Sequence, residues 1–296
     1  MPPFRLAMVS LDSSHCVEFT RLIQGDAPEG QTVAGLRVTT CCRFQSKFQP
    51  EKGQDERQAQ LEAWGVALAP SLEDAVRDVD GMIVSLNDPA DHWPVFQRVV
   101  GFGKPVFLDK PLADTVGNGE AIIRAAEKAG IPFWSSSSVP LLAPMAAARR
   151  AVPAPVFAHA FGPLGKAVAG SDIAWYGCHT FESLVAMMGP KAVSVRALED
   201  STGVTARIVY PDGRGVVELN RGHYAHGGRV ADGTTARVFL YNGEPDFSAY
   251  LPLMEAMRDF FIFGRTALPP ANAMAALRLG QAVEKSLEAG GRETAI

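Results

Sequence analysis

The sequence predicts an α/β chain: an N-terminal doubly wound parallel sheet, then a C-terminal α+β domain on a mostly antiparallel open sheet. Three observations carry this. Short apolar strands alternate with amphipathic helices from Phe4 to about Phe133, the rhythm of strand–helix–strand crossovers. The stretch 103–113, GKPVFLDKPLA, joins a buried strand over 105–108 to a charged end, Asp109-Lys110-Pro111; in open parallel sheets, ligands bind outside the carboxyl ends of the strands. Beyond Phe133, period-two segments replace the earlier rhythm, and Pro211-Asp212-Gly213-Arg214 has the chemistry of a hairpin turn.

In chain order, residues 4–9 read as a central strand, followed by the turn Ser10-Leu11-Asp12-Ser13-Ser14 and a helix over 15–24. Phe19, Leu22 and Ile23 share one face of that helix, and Gly25 supplies the stop. The next strand covers 36–42, and a polar segment over 44–60 leads into a helix ending near Trp64-Gly65. Ser71 is the expected N-cap, in a capping box, of a short helix reaching Asp78. Strands over 81–86 and 105–108 flank a helix over 93–102, and a helix over 116–128 ends at Gly130 and Pro132. Ser135–Ser138 and Pro140, Pro144, Pro153 and Pro155 mark a crossing region around one short helix, 141–150. Strands follow at 156–161, 192–199, 204–210, 215–220 and 235–240, with helices over 179–188, 253–263 and 273–289. The expected domains are 1–134 and 135–296, the last helices packing back on the first.

The chain has 296 residues, 47% hydrophobic and 20% charged, enough for two domains with sizeable cores. A net charge of −4 without any run of Lys and Arg argues against a nucleic-acid partner. No apolar stretch approaches the ~18 residues of a membrane span, and the first ten residues do not form a secretory signal. Cys16, Cys41, Cys42 and Cys178 have neither CxxC spacing nor disulfide-rich density, so reduced thiols and a cytoplasmic location are expected.

Gly103-Lys104-Pro105 leading to Asp109-Lys110-Pro111-Leu112-Ala113, then Ala126–Gly130, then Gly177-Cys178-His179 with Glu182, resembles the glucose-fructose oxidoreductase and inositol dehydrogenase family (Gfo/Idh/MocA). The resemblance spans nearly the whole chain. It implies an N-terminal Rossmann domain binding NAD or NADP and a C-terminal domain that builds the substrate pocket. It further implies oxidation or reduction of a carbinol on a sugar, cyclitol or related polyol, in a homodimer or homotetramer. Lys110 matches the family's motif lysine, which contacts nicotinamide ribose and substrate. His179 matches its general acid/base, and Glu182, one turn further along the helix, is placed to orient substrate or imidazole. Imidazole titrates near neutral pH, and an ammonium stabilises a developing alkoxide. His92 matches a histidine often found after the third strand, where packing or capping is the plainer role and substrate contact the alternative.

Two departures bear on function. The family's G-x-G-x-x-G turn lets the backbone approach a pyrophosphate, and its glycine positions are here Ser10, Asp12 and His15. Asp12 repels phosphate unless a cation offsets it; His15, Ser13 and Ser14 are the available compensating groups. Trp175 stands where many relatives carry aspartate, and Asp172 is out of register for that role. A subgroup of the same family shares the Leu11–His15 turn, the Phe107–Ala113 strand end and the Trp175–Glu182 helix start. In that resemblance Asp12, His15, Lys110, Tyr176, His179 and Glu182 line one crevice. Arg43, at the end of the second strand, suits a 2′-phosphate and favours NADP, the alternative being a solvated charge.

The expected cofactor-binding set is therefore Ser10, Asp12, Ser13, Ser14, His15, Arg43 and Lys110, the catalytic pair Lys110 and His179, and the substrate-binding set Glu182, Tyr176, Asp109 and His92. No metal is expected in this reading. Two others stay open: a non-redox ligand-binding protein on a degenerate Rossmann scaffold, and a metal-assisted lyase or hydrolase using Asp12, His15, His179 and Glu182. His223 and His226 read as a surface loop before Gly227-Gly228, and Cys178 points away from its neighbour His179.

Overall fold

The computed structural model describes residues 2–242 and 248–296. In chain order the elements are β1 Phe4–Val9, α1 His15–Gln24, β2 Leu36–Cys42, α2 Glu51–Ala63, β3 Ala67–Leu68, α3 Leu72–Val76, β4 Gly81–Val84, α4 His92–Val99, β5 Val106–Leu108, α5 Val116–Ala129 and β6 Phe133–Ser135. Then come α6 Ala143–Ala151, β7 Phe157–Pro163, α7 Cys178–Met188, β8 Ser194–Asp200, β9 Gly203–Tyr210, β10 Gly213–Asn220, β11 His226–Ala231, β12 Ala236–Tyr241, α8 Leu251–Phe263, α9 Ala271–Glu288 and β13 Thr294–Ala295.

Two compact units result: Met1–Asp109 with Glu120–Ser135 and Pro245–Ala267, and Lys110–Gly119 with Ser136–Glu244 and Leu268–Ile296. The first holds a parallel sheet in the order β3-β2-β1-β4-β5-β6. Leu6, Ala7, Met8 and Val9 are wholly buried in its central strand, as a strand covered on both faces requires. Trp134 of β6 is fully buried with its ring 5.4 Å from Phe107 of β5 and 6.0 Å from Phe260 of α8. Each such burial contributes about 1.5–3 kcal/mol.

The second unit holds a sheet in the order β12-β11-β7-β10-β9-β8-β13, antiparallel except where β10 pairs β7. A two-residue turn, Pro211-Asp212, joins β9 to β10. Helix α7 is buried at nine of its eleven residues, so its polar side chains His179, Glu182 and Ser183 must find partners inside the protein.

The sequence pattern misses four strands. β3 and β13 are two residues long, too short to show a period. β6 runs directly into the serine run that marks a crossing. β11 contains Gly227-Gly228, which reads as loop; a Cβ at Gly228 would lie 1.9 Å from the His159 carbonyl oxygen, so glycine is what lets β11 approach β7. His226 accordingly begins a strand and is buried, not displayed on a surface loop. Helix α2 takes most of the polar 44–60 segment because it buries only Gly53, Gln54 and Leu61, leaving almost no apolar stripe to read.

Candidate functional site

In the first unit, the turn after β1 is closed by side chains. Ser10 is wholly buried and holds φ +78°, the left-handed conformation that the first glycine of a phosphate-binding turn supplies freely; in a serine it costs about 1–2 kcal/mol. Its hydroxyl donates to Asp12 Oδ1 at 2.7 Å, and Ser46 donates to Asp12 Oδ2 at 2.9 Å. The Asn87 amide, just past β4, donates to both oxygens at 3.1 and 3.2 Å. Asp12 is thus buried with three donors around it. Arg57 adds a bond to the Leu11 carbonyl at 2.9 Å.

His15 opens α1. Its Nδ1 lies 2.5 Å from Asp109 Oδ2 and its Nε2 lies 3.0 Å from the Tyr250 hydroxyl. A carboxylate only accepts, so Nδ1 carries a proton and donates it to Asp109. Phe19 and Tyr250 pack on the ring at 5.2 and 4.8 Å. Ser13 Oγ accepts from the His15 amide, while Ser14, the N-cap, makes no side-chain cap.

At the end of β2, Arg43 donates to Asp55 at 2.6 Å and to Gln58 at 3.2 Å. It lines an open cleft of about 1000 Å³ with Ser46, Lys47, Gln54, Asp55 and Asp91. Burial, with the charges of Asp88 and Asp12, pushes the Asp91 carboxyl up. His92 is fully buried and donates through Nε2 to the Leu86 carbonyl at 3.1 Å.

The second unit brings together Lys110, Ser137, Tyr176, His179 and Glu182. Lys110 is 9% exposed, and its Nζ sits 5.8 Å from the centre of the Tyr176 ring. Among the described residues it has no hydrogen bond or ion pair. Tyr176 meets the His179 ring edge-on at 4.9 Å, and burial raises its phenol. His179 Nδ1 is 2.6 Å from Ser137 Oγ. Glu182, one turn along α7, accepts from the Ser137 amide at 2.7 Å and from the Ser136 hydroxyl at 3.5 Å. Asp172 is engaged elsewhere, accepting from the Ala167 amide at 2.7 Å.

Residues 49–136 match the Gfo/Idh/MocA model, described as an oxidoreductase family with an NAD-binding Rossmann fold. The match is confined to that segment, less than a third of the chain. No curated relative matches the chain. Among solved structures, a probable dehydrogenase from Thermotoga maritima aligns with TM-score 0.79 at 16% identity, covering 99% of each chain. The myo-inositol dehydrogenase of Lactobacillus casei, solved with NAD(H) and myo-inositol, aligns with TM-score 0.80 at 12% identity, covering 100% of this chain and 97% of that one. A putative myo-inositol dehydrogenase from Sinorhizobium meliloti gives 0.78 at 15%, covering 99% of each. At these identities the fold is what is shared.

A dinucleotide of the kind this Gfo/Idh/MocA segment implies fits the edge of the parallel sheet. Ser10 keeps the backbone of the first turn position, the N-cap Ser14 of α1 makes no side-chain cap, only the His15 amide being taken by Ser13 Oγ, and the cleft beside Arg43 presents Ser46 and Lys47. Asp12 is the exception, a carboxylate where a second glycine would admit the pyrophosphate. Its three donors stabilise the carboxylate within the protein but supply no opposite charge. Among the described residues, no group of three or more His, Cys, Asp or Glu is placed to hold a metal ion, and no helix is long and apolar enough to cross a membrane.

Sequence reasoning misses Ser46, Asn87, Ser137 and Tyr250. Ser137 hides in a serine run that reads as a crossing, and Ser46 in a polar segment. Tyr250 lies 235 positions from the histidine it touches, beyond any local spacing rule. The polar residues at 135–138 did carry a signal, since a run of serines beside apolar positions in a folded core needs partners.

Proposed function

We propose that the protein is a nicotinamide-dinucleotide-dependent dehydrogenase acting on a carbinol of a sugar, cyclitol or related small polyol. The observation that carries this is Lys110, an ammonium nine-tenths buried, packed over Tyr176 beside His179, with no ionic or hydrogen-bonding partner among the described residues. A buried cation without a partner is costly, so the position is kept for an oxygen that arrives with the substrate. The dinucleotide, when bound, accepts or supplies the hydride. Lys110 stabilises negative charge on the substrate oxygen, and His179 contacts the same oxygen where its proton is held or moved. Tyr176 stiffens both from one face.

The residues that would hold the dinucleotide are the turn Ser10–Ser14, the start of α1 at His15, and the Arg43 cleft. Arg43 is already paired with Asp55, so a 2′-phosphate must compete for it, which supports NAD at least as strongly as NADP. His92 and Glu182 serve here as positioning groups, His92 through the Leu86 carbonyl and Glu182 through Ser137. The family resemblance supports a cytoplasmic homodimer or homotetramer, and the exposed Val238 and Leu240 of β12 are apolar surface of the kind a subunit contact covers.

Steady-state assays with NAD and NADP against a panel of inositols, aldoses and sugar acids test this; turnover that vanishes in Lys110→Met supports it. One observation favours a second reading, a ligand-binding protein without redox chemistry. It is Asp12, and absence of any dinucleotide binding would favour that reading.

A further inference from the structure

We infer that Ser137 fixes the neutral imidazole of His179 as the tautomer protonated on Nε2, so that His179 meets a substrate oxygen as a hydrogen-bond donor. This deepens the dehydrogenase reading and rests on it only for the identity of the oxygen. A serine hydroxyl has one proton to give and two lone pairs to fill. The Ser137 side chain is wholly buried, and its Oγ has two partners among the described residues: the Val139 amide at 3.1 Å and His179 Nδ1 at 2.6 Å. The amide can only donate, so it takes a lone pair. The hydroxyl proton is left with one acceptor, Nδ1. Were Nδ1 itself protonated, it too would donate to Oγ, and the Ser137 proton would be buried with nothing to accept it. Neutral His179 therefore accepts at Nδ1 and carries its proton on Nε2, by about tenfold or more.

The serine is itself held. Its amide donates to Glu182 Oε2 at 2.7 Å, and Glu182 stands three residues after His179 on α7. One helix thus presents both the imidazole and the carboxylate that anchors the hydroxyl against it. His15 shows the opposite arrangement, with Nδ1–H donated to Asp109. The two rings differ at Nδ1, protonated in His15 and unprotonated in neutral His179, because one faces an obligate acceptor and the other a hydroxyl whose lone pair is already used. Ser137 is accordingly a positioning residue, which sets what His179 offers. A donor at Nε2 is matched to an oxygen that accepts, such as the carbonyl of a ketose or keto-cyclitol.

Nitrogen NMR of histidine-labelled, ligand-free protein tests this without any turnover. The expected spectrum has an unprotonated, pyridine-type Nδ1 and a protonated Nε2 for His179, assigned by its loss in His179→Gln. A protonated Nδ1 in the neutral wild-type ring overturns the inference. Ser137→Ala should move the His179 signals towards a tautomer mixture, and Ser137→Thr, which keeps the hydroxyl, should restore them. An unchanged Nε2–H tautomer in a folded Ser137→Ala overturns the role of the serine. Should that variant fail to fold, the wild-type spectrum still decides the tautomer and Ser137→Thr the role of the hydroxyl: a threonine that leaves His179 protonated at Nδ1 overturns it. Dinucleotide titration of the same samples separates this outcome from failure of the dehydrogenase reading.

Discussion

Nδ1 of His15 lies 2.5 Å from Oδ2 of Asp109, and both side chains are almost fully buried. This bond ties the turn after β1 to the end of β5, two points on the carboxyl edge of the parallel sheet that lie 94 residues apart in the chain. It also explains why an aspartate precedes Lys110: the carboxylate belongs to the turn, while the next residue, itself buried, has no such partner among the described residues.

Breaking that pair should be costly. Asp109→Ala leaves the His15 Nδ1–H buried without an acceptor and is expected to lose about 3–5 kcal/mol of unfolding free energy. Asp109→Asn retains an oxygen that accepts from Nδ1 and should lose less than half as much. Denaturant unfolding of both variants checks this; equal losses would show that the hydrogen bond is not the source.

Lys110→Met conserves the length and apolar stem that pack on Tyr176 but removes the ammonium. Turnover should fall by at least about 100-fold in kcat/KM, roughly 2.7 kcal/mol of transition-state stabilisation, with the thermal midpoint unchanged or raised. A variant with undiminished turnover would take this lysine out of the mechanism.

Much of this was legible in the sequence, and the misses have physical causes. The alternation of strand and helix, the Asp109-Lys110-Pro111 strand end and the turn at Ser10–Ser14 depend on local pattern, and each is where periodicity and turn chemistry place it. The partners of those residues are not local. Asn87 donates to Asp12 through its backbone, which no side-chain identity announces. Tyr250 reaches His15 from the segment before α8. Arg43 reads as a free cation at a strand end, yet Asp55 on α2 neutralises it. The strand β11 was hidden because its glycines answer a close approach to β7, a tertiary demand that looks like a turn in one dimension.

Asp12→Asn tests the departure at the phosphate turn. The amide keeps an oxygen for the Asn87 N–H while removing the charge, so the turn should survive. Dinucleotide affinity is expected to rise about fivefold, close to 1 kcal/mol. An unchanged dissociation constant would mean that Ser10, Ser46 and Asn87 already neutralise the carboxylate.

His226 gives the fold a pH dependence. Burial pushes its imidazole down to about 4, below the ordinary value near 6.5, so the unfolded chain binds a proton that the folded one refuses. The associated stability is complete above about pH 6.5 and is lost as pH falls towards 4, on the order of 3 kcal/mol in all. His159, also held down by burial, adds to the same slope. His226→Asn should flatten the stability curve over that window in part; curves that run parallel to wild type would contradict the assignment.

The most direct measurement is calorimetric titration of protein shown to be free of bound nucleotide with NAD, NADH, NADP and NADPH in turn. The account predicts micromolar binding of at least one, with NAD(H) no weaker than NADP(H) because Asp55 occupies Arg43. Absence of binding by all four at millimolar concentration would contradict it and leave the Ser10–His15 turn as the remnant of a lost dinucleotide site.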